Sequence, residues 1–282
     1  MRIACVQMDV SIGEVERNLT AMEERLRETA ASQTVLTVFP ECAVTGYCFE
    51  NLTEARPCAQ SVPGPATDRI SALCAELGVY AVFGLIEVAG DSVFNAAVLT
   101  GPQGVIGVYR KVHLPFLGVD RHVAFGDQPF AVFNAGNLRV GMNICYDSAF
   151  PEATRSLALL GADLIALPTN WPPGAECVAA HVLNTRAMEN AVYFAAANRV
   201  GTERGFEFIG RSRICGPQGE TLAASENTSE TILYAEIDPE RARNKTAVRE
   251  PGRHAIDRMA DRRPEMYGRL VKPHSLTRPG RS

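Results

Sequence analysis

Short apolar runs alternate with helix-period segments along nearly the whole chain, and hairpin turns interrupt the strand-rich stretches. This pattern restricts the fold more than any other feature. Residues 2–8 read as a strand, and from Glu14 to Thr29 the side chains Val15, Leu19, Met22 and Leu26 recur at helical spacing. Residues 34–39 form a second strand ending at Pro40-Glu41. Ile70, Leu73, Cys74 and Leu77 mark a helix after the Pro-Gly-Pro turn at 63–65. Strands follow at 79–87, 93–99 and 105–110, then near 129–133 and 138–144, where the last runs into Cys145. A helix after Pro151 carries Leu157, Leu159 and Leu160. Beyond it come strand 163–168, helix 176–189, strands 191–198, 208–215, 220–223 and 231–237, and a short helix over 239–248. Gly-Pro-Gln-Gly occurs twice between strand-like runs, at 101–104 and 216–219, hinting at a duplicated strand–turn–strand layout. Helices between strands require sheets with helical cover, and hairpins mean that not all neighbours are parallel. The expectation is one domain of mixed α/β layers over residues 1–282. Its Arg- and Pro-rich tail from about 258 either packs on a neighbouring subunit or hangs loose.

With 282 residues the chain can bury a substantial core. A formal charge of −4 gives no long-range attraction to nucleic acid or anionic membrane, and no apolar run approaches membrane-spanning length. The first residues, Met1-Arg2-Ile3-Ala4-Cys5, read as strand and not as a signal peptide, so a cytoplasmic protein is expected. Cysteines stand at 5, 42, 48, 58, 74, 145, 177 and 215, mostly in apolar context and with no CxxC pair. They read as reduced thiols and not as a disulfide framework or a zinc site.

Cys145 is placed differently from the rest. It ends the run Leu138–Ile144, is followed by the polar Tyr146-Asp147-Ser148, and precedes Pro151, which suits the first turn of a helix. Such an elbow exposes its residue and turns backbone N–H groups toward one point, an arrangement suited to a tetrahedral oxyanion. A reactive thiolate also needs a lowered pKa. Lys111, in Tyr109-Arg110-Lys111-Val112-His113-Leu114-Pro115, is the cation candidate; its plain alternative is a solvated basic pair at a strand end. Glu41, in Phe39-Pro40-Glu41-Cys42, is a carboxylate at the mouth of an apolar strand, a candidate general base if burial raises its pKa, or otherwise a cap or surface acid.

Three separated segments resemble the carbon–nitrogen hydrolase family, also called the nitrilase superfamily: Phe39-Pro40-Glu41 with Gly46-Tyr47, Tyr109 to Leu114, and Gly141 to Glu152. Pro168-Thr169-Asn170-Trp171, Arg186 to Asn190, Asn198 to Gly201, Gly210-Arg211-Ser212 and Arg262 to Tyr267 add matches in family order. The resemblance implies a four-layer α-β-β-α sandwich with mixed sheets that dimerises through helices. It also implies a Glu41–Lys111–Cys145 triad working through a thioester, with Lys111 and the Tyr146 N–H holding the oxyanion. Many members place a second glutamate between the lysine and the cysteine, where it bonds the lysine. This chain has none there, and Asp120 is the nearest substitute, one methylene shorter. Tyr47, Asn170 and Trp171 are candidates for the substrate site, Trp171 equally for a core anchor. His113 is expected behind Lys111, and Arg186 with Glu189 as a structural pair. Arg121, Arg199 and Arg204 are each able to meet a substrate carboxylate.

No metal-ligand cluster and no phosphate loop appears, so no cofactor is expected. The leading expectation is a hydrolase of a small linear amide, a carboxamide or ω-amido acid. Cleavage of an N-carbamoyl compound comes next, then nitrile hydrolysis, because nitrilases of the family usually carry Trp-Glu after the nucleophile where Tyr146-Asp147 stands here. A non-catalytic scaffold of the same fold and a redox cysteine are the competing classes; the second leaves Glu41 and Lys111 unexplained.

Overall fold

The computed structural model describes residues 1–281. Two six-stranded sheets pack face to face. The first contains β1 (Arg2–Gln7), β2 (Thr34–Val38), β3 (Tyr80–Ala89), β4 (Ser92–Gly101) and β5 (Gly104–Arg110). The second contains β6 (Val132–Ala135), β7 (Leu138–Met142), β8 (Leu164–Thr169) and β9 (Tyr193–Asn198). After a two-residue hairpin of β10 (Thr202–Glu203) and β11 (Phe206–Glu207) come β12 (Arg213–Cys215) and β13 (Thr221–Ala224), which extend the second sheet, and β14 (Thr231–Glu236), which returns to the first. The strand orders are β14-β1-β2-β3-β4-β5 and β13-β12-β9-β8-β7-β6. Only β1–β2–β3 and β7–β8–β9 pair in parallel; the flanking strands are antiparallel.

The layers follow from strand alternation. In β3, Val82 faces the second sheet while Ala81, Phe83 and Leu85 face the helices. Strands covered on both faces are apolar throughout, which is why these runs show little polar alternation. Helices α1 (Val15–Ala31) and α3 (Pro65–Leu77) cover the first sheet; the short α2 (Leu52–Ala55) lies between them in sequence. On α1 the buried positions Leu19, Met22 and Leu26 lie on one face. Pro65 opens α3 and Gly78, at φ 68°, closes it. Helices α4 (Pro151–Leu159) and α5 (Leu183–Asn190) cover the second sheet, completing the α-β-β-α sandwich. The two Gly-Pro-Gln-Gly turns occupy comparable places: one joins β4 to the edge strand β5, the other β12 to the edge strand β13.

Some boundaries differ from expectation. The strand predicted over 208–215 is confined to Arg213–Cys215, because Gly210 and Arg211 both take left-handed backbone conformations. Residues 178–182 form a π-turn ahead of α5. The helix predicted over 239–248 stops at Arg243 as α6 (Pro239–Arg243). The β-branched Thr246 and Val248 go instead into β15 (Thr246–Glu250), paired with β16 (His254–Asp257) across Pro251-Gly252. The tail beyond it folds back over the sandwich: Arg281 donates to the main-chain oxygen of Asp120, and Gly280 lies against the Phe116 ring. No helix among the described residues is long and apolar enough to cross a membrane.

Candidate active site

Glu41, Lys111, Cys145 and Asn170 lie just beyond the C-terminal ends of β2, β5, β7 and β8, all at one end of the sandwich. Glu41 sits in a turn folded tightly onto β3. A Cβ at Gly84 would come within 2.3 Å of the Cys42 nitrogen and 2.7 Å of the Glu41 Cα, so only glycine lets this turn approach. Lys111 is fixed as β5 ends, its N–H donating to the Asn95 carbonyl at 2.8 Å and its carbonyl accepting from the Gly126 N–H at 2.8 Å.

Glu41, Lys111 and Asp120 form one buried ionic cluster. Lys111 Nζ lies 2.7 Å from Glu41 Oε1 and 2.5 Å from Asp120 Oδ2, and all three side chains are 0% exposed. The side chain that meets Lys111 opposite Glu41 is therefore Asp120, carried by a short 3-10 turn (Gly118–Arg121). The left-handed Gly118 lies against the Tyr47 ring, and the Tyr47 hydroxyl donates to Asp120 Oδ2 at 2.8 Å. Asn95 joins the two acids, its Nδ2 donating to Glu41 Oε1 at 2.7 Å and Asp120 Oδ1 at 2.9 Å. Glu41 Oε2 has no hydrogen-bond partner among the described residues. Asn95 was missed from sequence, although an asparagine inside Val93-Phe94-Asn95-Ala96-Ala97-Val98 is a visible polar break in a buried strand.

Cys145 has φ 43° and begins a 3-10 turn (Cys145–Ala149). A left-handed non-glycine residue costs about 1–2 kcal/mol and marks a sharp elbow. The Tyr146 N–H, second in this turn, has no intrahelical acceptor, since the first bond of the turn runs from the Asp147 N–H to the Ile144 carbonyl. Asp147 fixes the elbow. Its Oδ2 accepts from the Tyr109 hydroxyl at 2.8 Å and the Ile144 N–H at 2.9 Å; its Oδ1 accepts from the His113 N–H at 3.1 Å and lies 2.6 Å from His113 Nδ1. His113, stacked on Phe150 at 3.8 Å between ring centroids, thus ties the Lys111 loop to the Cys145 elbow.

Electrostatics set the resting protonation. Burial pushes the Glu41 carboxyl above its ordinary value; Lys111 opposes this and the charge of Asp120 adds to it. Burial also opposes the charge on Lys111, but Asp120 and Glu41 outweigh it and hold the ammonium well above its ordinary range. The Cys145 thiol is pushed up to about 12, first by burial and then by the charge on Glu41, against the pull of Lys111, Thr169 and the Asn170 N–H. The lowered thiol pKa expected from sequence is not met. Two carboxylates around one ammonium leave a net negative cluster, and a thiolate beside it would add a second negative charge.

The other candidates divide clearly. Tyr47 is buried against Asp120 and Lys111, its ring 6.0 Å from the ammonium. Asn170 is 1% exposed with neither side-chain amide atom bonded among the described residues. Trp171 is a core anchor, buried among residues of both sheets. Arg186 bonds Glu189 at 3.0 Å, as its spacing suggested. Arg199 is fully buried on Glu203, Arg204 pairs with Glu54, and Arg121 is held on the carbonyls of Gly118 and Phe49. Glu203, unmarked in the sequence, accepts from the Tyr47 N–H at 2.9 Å and so fixes the Tyr47 loop. Next to the elbow opens a cavity of about 750 Å³, whose walls include Val112, His113, Phe116, Phe125, Tyr146 and Phe150. Among the described residues, no group of three or more His, Cys, Asp or Glu is placed to hold a metal ion.

Comparison with known proteins agrees with this geometry. The profile of the family described as "Carbon-nitrogen hydrolase" matches residues 2–246. A protein named "Nitrilase" from Pyrococcus abyssi is 40% identical over 270 residues, covering 95% of this chain and 100% of the relative. The "N-carbamoylputrescine amidase" of Solanum lycopersicum is 32% identical over 273 residues, 89% of each. The omega-amidase of Bos taurus is 31% identical over 253 residues, 84% of this chain and 88% of the relative. An amidase from Nesterenkonia sp. AN1, solved with acrylamide added at its active site cysteine, shares the fold with a TM-score of 0.79 at 24% identity, over 96% of this chain and 100% of that one. By profile, by relatives matched along nearly their whole length and by fold, the chain belongs to the carbon–nitrogen hydrolase family, the nitrilase superfamily, and is a hydrolase of carbon–nitrogen bonds.

Proposed function

We propose that the chain hydrolyses a small linear amide, a carboxamide or an ω-amido acid, through a thioester on Cys145, with Glu41 as general base and Lys111 as oxyanion donor. The observation that carries this reading is the buried Glu41–Lys111–Asp120 cluster acting on the thiol of a strained elbow. The neutral resting thiol attacks the carbonyl carbon while Glu41 Oε2, the oxygen left without a partner, takes its proton. A C–S bond forms, and the negative charge moves from Glu41 to the substrate oxygen, held by Lys111 Nζ and the Tyr146 N–H. The buried cluster keeps one net negative charge throughout, so the step avoids the cost of a second. Glu41 then gives the proton to nitrogen, the C–N bond breaks and ammonia leaves. Water attacks the thioester as Glu41 takes its proton, and the acid departs as the proton returns to sulfur. Asp120 holds Lys111 in place, Asn95 and Tyr47 hold Asp120, and the unpaired Asn170 amide suits the substrate's own amide.

Relatives named for carbamoyl and nitrile substrates support the next two readings, in that order. A panel of amides, N-carbamoyl amino acids and nitriles, read by ammonia and acid product, tests the assignment. Ammonia without carbon dioxide from the amides is expected; turnover confined to carbamoyl compounds or nitriles would overturn it. We further propose a cytoplasmic homodimer or higher oligomer, pairing through the helical face where Leu159, Leu160 and Met188 are exposed. Sedimentation at single-chain mass would reject the pairing.

A further inference from the structure

One wall of the cavity next to the Cys145 elbow is made by the chain's own tail. Leu270, His274, Leu276, Thr277, Arg278 and Pro279 form that wall. The tail is anchored at the catalytic cluster: Arg281 donates to the main-chain oxygen of Asp120, the residue that grips Lys111, and its guanidinium lies 4.6 Å from the Phe125 ring centroid. Arg278 packs on the same ring at 4.8 Å and faces the cavity. Arg199 and Arg204 are paired with carboxylates and Arg121 is held on main-chain carbonyls, whereas Arg278 has no carboxylate within 4.0 Å among the described residues, and its guanidinium makes no hydrogen bond to them. The opposing acid on the wall is Glu152, in the first turn of α4, where the free N–H groups of the helix offset its charge. The cavity therefore runs from Tyr146, the residue that follows the nucleophile candidate Cys145 in the elbow, along aromatic walls, to Arg278, with volume for a chain of several carbons.

We propose that Arg278 is the specificity residue that binds a carboxylate at the end of the substrate remote from the scissile amide. The preferred substrate is then an ω-amido carboxylic acid, with its methylene stem against Phe116, Phe125 and Phe150. This inference rests on the amidase reading and deepens it. A guanidinium–carboxylate bond is among the stronger hydrogen bonds, and water competes for it at this exposed position. The expected effect is about tenfold, the low end of the range for bonds to charged groups.

The test compares kcat/KM for succinamate with that for butyramide, its neutral analogue, and with that for N-carbamoylputrescine, which ends in an amine. The full chain should favour succinamate. Arg278→Met should lower the succinamate-to-butyramide ratio about tenfold, chiefly through KM, Arg278→Lys should keep most of it, and removal of residues 273–282 should lower it as Arg278→Met does. A ratio that Arg278→Met leaves within twofold, or a full chain that favours the amine-ended substrate, would overturn the proposal. Calorimetric binding of succinamate to the Cys145→Ala protein separates this from failure of the amidase reading. Binding weakened about tenfold by adding Arg278→Met upholds the carboxylate site even without turnover, and binding indifferent to Arg278 removes it.

Discussion

Asp120→Asn removes one charge from the buried cluster and almost no volume, so it isolates what the second acid does. Three donors converge on the two Asp120 oxygens: Lys111 Nζ and the Tyr47 hydroxyl on Oδ2, and Asn95 Nδ2 on Oδ1. An amide offers one oxygen and one NH2 group. Whichever way it is turned, at least one buried donor faces another donor. Turning Asn95 does not resolve the conflict, because its NH2 group also serves Glu41. Breaking one side of a buried charged pair costs about 3–5 kcal/mol. At roughly 2–4 °C per kcal/mol for a chain of this size, the melting temperature should drop by about 6–20 °C. Lys111 would lose its second anchor, and a displacement near 1 Å of an oxyanion donor costs about a hundredfold in kcat. Asp120→Glu keeps the charge but adds a methylene to a fully buried side chain, so it should lose stability by about 1–3 kcal/mol and retain more activity than the asparagine variant. Calorimetry and steady-state kinetics on the best amide measure both effects. An Asp120→Asn protein melting within 1–2 °C of the original, with kcat within about twofold, would refute the claim that Asp120 holds the catalytic lysine.

The raised Glu41 pKa fixes the direction of the pH profile. As the proposed base, Glu41 would have to be ionised to take the thiol proton, so kcat/KM should fall on the acid side through a pKa above the ordinary 4.5, whereas a limb at or below that value would contradict burial as the controlling term. With the thiol pushed up to about 12, alkylation of Cys145 by iodoacetamide should be slow at neutral pH and still rising at pH 10; a plateau reached near pH 7 would reveal a resting thiolate. Gly84→Ala should force the Glu41 turn away from β3, lowering kcat about tenfold or more while the cluster around α4 and α5 stays folded; unchanged activity would show that the turn has room the contacts deny.

Much of this was legible because burial on both sides of a strand leaves an apolar run that ends abruptly. Glu41, Lys111 and Cys145 were each found as the first chemical residue beyond such a run, and the structure places all three at one end of the two sheets. Asn95 escaped because polarity inside a strand was not weighed against the strand's burial, and Glu203 because its partners, Tyr47 and Arg199, are distant in sequence or on another element. Asp120 was visible only as the nearest acid. That it reaches Lys111 depends on the 3-10 turn at Gly118 and on Tyr47, neither of which has a periodic signal. The error over residues 244–248 has the same origin. The helix expected over 239–248 stops at Arg243, and the hairpin that forms there is set by Pro251-Gly252, downstream of the segment itself. The tail carries no periodicity at all, so its position over the cavity follows from arginine contacts with Phe125 and Asp120 that no local pattern announces.

The central claim is a thioester on Cys145, formed with Glu41 and Lys111 in attendance. Rapid quenching of the protein with a turned-over amide, followed by mass analysis of its peptides, tests this most directly. An acyl group should appear on the peptide carrying Cys145, formed with one equivalent of ammonia, discharged by added hydroxylamine, and absent from the Cys145→Ala protein. An acyl group on another residue, or a Cys145→Ala protein that still turns over the amide at the original rate, would contradict it.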